Sequence, residues 1–271
     1  MEKIRVVVAG ATGWAGGPVT AGVLTADDMV LTGAVARAAA GRDIGAVLRL
    51  RSTEVLVVKS VTEALNAGGV DVLVDYTHPD VVKSHVLQAL GRGVRVVIGT
   101  SGLTADDFTE IGRRADETGL GVIAAGNFSM TAALAKHFSL IAAQYLPSWE
   151  LIDYADAAKV DAPSGSVREL ADALGTIKPS ELAVPISDTR GTPAARGATI
   201  GGSQVHSIRL PSFTVAFETL FGLPDERLTI RHDAGAGAAP YVAGTLLAIR
   251  QVMTLTGLVR GLDTVMFQSS V

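Results

Sequence analysis

The sequence predicts an α/β chain, with a doubly wound parallel sheet first and a second, α+β unit after it. Three observations carry that expectation. Short apolar runs rich in valine and isoleucine alternate with segments of helical period from the N-terminus to residue 128. The first run leads into a glycine-rich turn and then a helix. Beyond residue 128 the alternation stops, and three strand-like runs come in succession. The chain has 271 residues, 48% hydrophobic and 18% charged, enough for one large or two modest cores. A net charge of −4 gives no basic footprint for nucleic acid, and the absence of cysteine excludes disulfides and thiolate metal sites. The first apolar run is too short and wrongly flanked for a signal peptide or a membrane span. The expectation is a cytoplasmic protein without membrane, nucleic-acid or metal partners.

Ile4-Arg5-Val6-Val7-Val8-Ala9 is the first strand, followed by Gly10-Ala11-Thr12-Gly13-Trp14-Ala15-Gly16-Gly17 and then Val19, Val23 and Leu24 at helical spacing. The spacing G-x-x-G-x-x-G is a variant of the Rossmann dinucleotide fingerprint. Its glycines permit a tight turn, the approach of a pyrophosphate to the helix start, and close packing of helix on strand. Gly10, Thr12, Gly13, Trp14 and Ala15 are therefore candidate cofactor contacts. The next strand, 30–35, ends at Ala36-Arg37, where an acidic residue would hold the ribose 2′-hydroxyl of NAD. None is present. Arg37, helped by Arg42, instead suits a 2′-phosphate, because a guanidinium matches phosphate oxygens in bidentate fashion. NADPH is expected to be preferred over NADH.

Strand candidates recur at 55–58, 70–75, 94–98 and 121–125, separated by helical patterns such as 81–90 and 106–115. In a sheet of this kind ligands collect at the carboxyl ends of the strands. Three such ends carry polar turns: Asp75-Tyr76-Thr77-His78-Pro79, Gly99-Thr100-Ser101-Gly102 and Gly126-Asn127-Phe128-Ser129. A helix at 131–145 and a strand at 150–154 follow. Then Lys159-Val160-Asp161-Ala162-Pro163-Ser164-Gly165-Ser166 reads as a loop opening into a helix through Val167, Leu170, Ala171 and Leu174. Pro163 presets a turn, Ser164 or Ser166 can cap, and Gly165 leaves the amides open. Free amides at a helix start, with Lys159 upstream, make a candidate anion site for a carboxylate or phosphate. Residues 176–202, rich in Pro, Thr, Gly and Ala, read as a long lid-like loop. Strands at 204–210, 214–221 and 226–232 follow, with Val215, Phe217 and Leu220 read as an apolar oligomer face, and a helix at 241–253 comes after them. Residues 1–128 are expected to form a dinucleotide-binding domain and 129–233 a substrate-binding and oligomerisation domain.

The string Lys159-x-Asp161-Ala162-Pro163-Ser164-Gly165 resembles the substrate signature of dihydrodipicolinate reductase, from the bacterial diaminopimelate and lysine pathway. The three strand-end turns resemble further blocks of that family, as do Ala195-Arg196-Gly197, Val205-His206-Ser207-Ile208-Arg209 and Leu228-Thr229-Ile230-Arg231-His232-Asp233. The resemblance spans nearly the whole chain. It implies that 234–271 packs back on the dinucleotide-binding domain, and a homotetramer joined through the sheets of the second domains. It also implies hydride transfer from NADPH or NADH to a C=C bond conjugated with C=N in a ring bearing two carboxylates. Cofactor contacts would come from Tyr76, Thr77, Gly99, Thr100, Ser101, Gly126, Asn127 and Phe128, with Gly99, Thr100, Gly126 and Phe128 at the nicotinamide end. Ser164, Gly165 and Ser166 would hold one carboxylate, and Lys159 would neutralise charge or donate the proton.

The departures are informative. The family signature begins with two adjacent histidines, which in this register fall on Ala155 and Asp156. Trp14 stands where the family carries arginine, Ser166 where it prefers threonine, and 234–238 lacks the arginine usual there. A general acid contributes about 10² to 10⁴ in rate, so its loss predicts one of three outcomes. Lys159, Tyr154 or Asp156 has taken over proton delivery, with His206 a remoter replacement; or the substrate has changed; or the chain is a catalytically silent NADP(H)-binding sensor. The negative charge of Asp156 repels a dianion and so favours a changed substrate, another small cyclic imine or conjugated acid.

Overall fold

The structure is a computed structural model describing residues 2–267; Met1 and 268–271, which fall in the expected dinucleotide-binding domain, lie outside the described residues. The chain divides into two compact units, Met1–Met130 with Gly237–Val271, and Thr131–Ala236. In chain order the first unit contributes β1 (Ile4–Ala9), α1 (Gly16–Thr25), β2 (Met29–Val35), α2 (Ile44–Val47), β3 (Val57–Val58) and α3 (Val61–Asn66). It continues with β4 (Val72–Asp75), α4 (Pro79–Leu90), β5 (Arg95–Ile98), α5 (Ala105–Thr118) and β6 (Gly121–Ala124). The second unit holds α6 (Met130–Tyr145), β7 (Ser148–Ala155), α7 (Gly165–Gly175), β8 (Ala198–Ile200), β9 (Ser203–Arg209), β10 (Val215–Leu223) and β11 (Glu226–Ala234). The chain then returns to the first unit as α8 (Pro240–Val252), β12 (Gly257–Arg260) and α9 (Leu262–Phe267).

In the first unit seven parallel strands run in the order β12-β6-β5-β4-β1-β2-β3, flanked by helices. The strand order reverses between β1 and β4, the switch point where Rossmann sheets take a dinucleotide. Val6, Val7 and Val8 of β1 and Val72, Leu73 and Val74 of β4 are fully buried, which is why these strands read as continuous apolar runs rather than alternating ones. The strand expected at 55–58 shrinks to Val57–Val58 at the sheet edge, and β12, only four residues long at the other edge, was not anticipated.

The second unit is a five-stranded sheet, β11-β10-β7-β9-β8, in which only β7 and β9 run parallel. Its strands alternate with period two. On β7, Trp149, Leu151, Asp153 and Ala155 are buried, while Glu150, Ile152 and Tyr154 face the other way. The buried face packs with α6 and α7 residues into a core that includes Trp149, Leu151, Leu170, Leu174, Phe217 and Phe221. This corrects the expected oligomer face. Positions two apart share a face, so Val215 and Phe217 lie with Phe221 on the helix-covered side, and only Leu220 points to the opposite side. The expected lid loop is also tied down, since Ser180 Oγ donates to the Trp149 carbonyl at 2.7 Å and accepts from the Trp149 amide at 2.8 Å. Among the described residues no helix is long and apolar enough to cross a membrane.

Candidate active site

The glycine turn after β1 is shaped by close backbone approach. Gly10 has φ 78°, and a Cβ there would fall on the Tyr76 carbonyl; a Cβ on Gly16 would fall on the Gly10 carbonyl. Gly10 and Ala11 donate their amides to the Val35 carbonyl at 3.0 and 3.1 Å, which ties the turn to the end of β2. The amides of Thr12, Trp14 and Ala15 are not taken up within the described chain, and α1 begins without a side-chain cap. Arg37, exposed just past β2, has no acidic partner among the described residues. Open amides at a helix start, with an uncommitted guanidinium one strand away, suit the phosphates of a dinucleotide, so the residues present fit that group. Trp14 is 62% exposed, its ring edge-on to Tyr241 at 5.6 Å.

The turns beyond β4, β5 and β6 are built on one another. The Tyr76 ring fills the space a Cβ on Gly99 would need, sits edge-on to Phe128 at 6.1 Å, and hydrogen-bonds Thr245 Oγ1 of α8 at 2.7 Å. Burial pushes the Tyr76 phenol well up from its ordinary value, so it stays neutral. A Cβ on Gly244 would strike the Phe128 carbonyl, so α8 closes directly on that turn. Thr77 and Thr100 both bond the buried carboxylate of Asp75. Ser101 and Gly126 are exposed, and the Asn127 side chain accepts from the Ser129 amide at 2.8 Å. Each expected cofactor residue therefore lies at the carboxyl edge of the parallel sheet, although Phe128 and Tyr76 offer ring packing from below more than exposed surface.

In the second unit, the carbonyl of Ser164 accepts from the amides of Val167 and Arg168 as α7 begins, and the amides of Gly165 and Ser166 have no partner among the described residues. A Cβ on Gly165 would meet nothing, so the space in front of those amides is open. Neither serine caps the helix through its side chain, and the Ser164 hydroxyl is buried without a partner. The Ser164 amide is not free as expected, because it donates to Asp153 Oδ2 at 2.8 Å. Lys159 Nζ pairs with Asp161 at 2.7 Å, and that contact holds the Asp161 carboxyl below its usual range. Asp156 accepts from the Ala158 amide at 2.8 Å, closing a local turn with its carboxylate beside the loop.

One candidate does not meet this loop. Tyr154 lies on the opposite face of β7 from Asp153, packed on Phe213 with ring centroids 4.9 Å apart and under the Arg231 guanidinium at 5.0 Å. Burial, then the Glu218 charge, also push its phenol up, making it a weaker acid. Tyr154 is therefore withdrawn as proton donor. His206 shares a cavity with Ala162 and Pro163 of the loop, and its Nε2 is held by Glu150 at 2.7 Å.

Sequence reasoning missed the pair that fixes the loop. Fully buried Asp153 meets Arg209 Nη2 at 2.7 Å and the Ser207 hydroxyl at 3.2 Å, and the same Arg209 nitrogen donates to the Asp161 carbonyl at 2.7 Å. The signal was available. An aspartate at an inward position between Leu151 and Ala155 must find a partner.

Comparison with known proteins bears on the family. The family model described as Dihydrodipicolinate reductase, N-terminus matches residues 4–128, and Dihydrodipicolinate reductase, C-terminus matches 128–266. The 4-hydroxy-tetrahydrodipicolinate reductase of Synechococcus elongatus is 36% identical over 273 residues, 98% of this chain and 99% of its own. That of Moorella thermoacetica is 35% identical over 266 residues, with the same coverage of both chains. The solved structure of dipicolinate-bound dihydrodipicolinate reductase from Paenisporosarcina sp. TG-14 matches with a TM-score of 0.83 at 31% identity, over 97% of this chain and 99% of that one. Family models that match both halves and relatives alike over the full length show that the chain belongs to the dihydrodipicolinate reductase family of nicotinamide-dependent oxidoreductases.

Proposed function

We propose that the protein is an NADPH-dependent reductase acting on a conjugated C=C/C=N in a small cyclic carboxylate other than the compound its relatives are named for. The observation that carries this reading is an intact anion loop standing beside a replaced acid. Gly165 and Ser166 keep open amides, while Ala155 and Asp156 occupy the register of the histidine pair. A nicotinamide, when bound, supplies the hydride. The chain's own part begins with Arg37 on the 2′-phosphate and the Thr12, Trp14 and Ala15 amides on the pyrophosphate. Turns at Thr77, Thr100 and Phe128 orient the nicotinamide end. Gly165 and Ser166 take one substrate carboxylate, assisted by the charge of Lys159.

Proton delivery falls to Lys159, the cationic group of the loop that stands closest in sequence to the missing pair. Its ion pair with Asp161 orients the ammonium and partly neutralises it. Asp156 and Asp161 place two carboxylates around one lysine, which disfavours a second substrate carboxylate and favours a singly charged cyclic imine or conjugated acid. On this reading the first unit takes the nucleotide and the second the substrate, in a cytoplasmic homotetramer as family likeness suggests. The test is NADPH oxidation, followed by loss of near-ultraviolet absorption, across a panel of cyclic imines and conjugated acids. Turnover of at least one compound is expected. Lys159→Ala should lower its kcat/KM by about 10² or more with NADPH affinity unchanged. Silence across the panel, with tight NADPH binding, would instead favour a sensor.

A further inference from the structure

We propose that Asp75 and His85 form a positioning pair that sets the nicotinamide half of the cofactor site, holding the turns after β4 and β5 to one another from beneath. Asp75 is the last residue of β4 and is fully buried. Its Oδ1 accepts from the Thr77 amide at 3.0 Å, the Thr77 hydroxyl at 2.6 Å and the Thr100 hydroxyl at 2.7 Å. Its backbone carbonyl accepts from the Gly99 and Thr100 amides at 2.9 and 3.1 Å. The Thr77 amide also reaches Thr100 Oγ1, at 2.8 Å. One residue thus fixes the backbone of both turns, and every one of these turn contacts uses Oδ1 or the main chain.

Oδ2 is left over. A buried carboxylate oxygen without a donor is costly, and the turns supply none to it. The donor comes from α4, where His85 Nδ1 lies 2.8 Å from Oδ2 with the imidazole mostly covered. His85 therefore completes the hydrogen bonding of the carboxylate and fixes its rotation, and through that rotation the spacing of Thr77 and Thr100. Asp75 opens its strand-end turn but is buried beneath it, and His85 lies on α4 outside the turns. Asp75 acts on the cofactor only through Thr77 and Thr100, and His85 only through Asp75.

Location assigns the pair to one half of the ligand. In a sheet whose order reverses between β1 and β4, one mononucleotide half lies over β1 and β2, with the glycine turn and Arg37. The other half lies over the carboxyl ends of β4, β5 and β6. Asp75 is beneath the second. A general loosening of the sheet would weaken both halves, whereas a loss of positioning weakens only the nicotinamide half.

The experiment measures dissociation constants of NADPH and of adenosine 2′,5′-bisphosphate by calorimetry on the full chain, for wild type, His85→Leu, His85→Asn and His85→Gln. His85→Leu should weaken NADPH by about tenfold or more and change the bisphosphate by less than about twofold. His85→Asn puts an amide near the Nδ1 position and should recover most of the NADPH affinity. His85→Gln carries the same amide beyond that position and should resemble His85→Leu, which keeps the comparison available if the leucine variant does not fold. Parallel weakening of both ligands, unchanged NADPH binding in His85→Leu and His85→Gln, or equal behaviour of Asn and Gln would each overturn the proposal. The inference rests on the nucleotide reading, whose own failure would show differently, as wild-type protein that binds neither ligand.

Discussion

Single residues separate what the sequence made legible from what it hid. Arg37 carries a proposal that the sequence suggests, because the fingerprint fixes where a ribose partner stands and no acid is there. Arg37→Ala should raise the KM for NADPH by about tenfold to a hundredfold and leave that for NADH nearly unchanged; equal effects on both would remove its role at the 2′-phosphate. Asp153 and Arg209 were not readable as a pair. They stand 56 residues apart on strands whose pairing the sequence does not announce. Arg209→Met strands a buried carboxylate and should cost about 3 to 5 kcal/mol in urea unfolding, while a double variant with Asp153→Leu should recover a large part of it. No recovery would mean that Arg209 acts by packing alone. Tyr154 was misplaced for a simpler reason. Counting by twos from Trp149 and Leu151 puts it on the far face, and its proximity in sequence to the loop outweighed that parity.

At the scale of elements, β1, β4, β5 and β6 were visible because burial on both faces writes them as unbroken apolar runs. Edge strands β3 and β12, of two and four residues, carry too little pattern to announce themselves. The turn from β1 into α1 depends on Gly16, whose Cβ position is occupied by the Gly10 carbonyl. Gly16→Ala should therefore displace the turn, destabilising the chain by about 1 to 3 kcal/mol and sharply weakening NADPH binding; a variant that binds normally would show that the turn yields easily. Helix α5 offers a test by pH. The Thr104 amide and hydroxyl, then Lys83, hold the Asp107 carboxyl down at about 2. A depressed acid contributes stability above its unfolded pKa of about 3.9 and loses it as pH falls through the folded value. Nuclear magnetic resonance titration of Asp107 should accordingly show the α5 capping box intact at pH near 4 and lost only towards pH 2. An ordinary titration near 4 would mean the box does not hold the charge.

For the whole molecule, the family was legible from a few strings, because the glycine turn, the strand-end turns and the Lys159–Ser166 loop recur in order along one chain. The substrate was not, because it depends on charges that surround the loop in space. Lys159 is bound to Asp161, the Ser164 amide is spent on Asp153, and Asp156 adds a carboxylate where the family resemblance implies an imidazole. These local facts argue for retained reduction with redirected substrate choice. The most direct measurement is the ratio of kcat/KM for the best cyclic imine or conjugated acid to that for 4-hydroxy-tetrahydrodipicolinate, in the wild type and in a variant carrying both Ala155→His and Asp156→His. Redirected substrate choice predicts a wild-type ratio above about ten that falls when the histidines are installed. A wild type that already prefers 4-hydroxy-tetrahydrodipicolinate would contradict it.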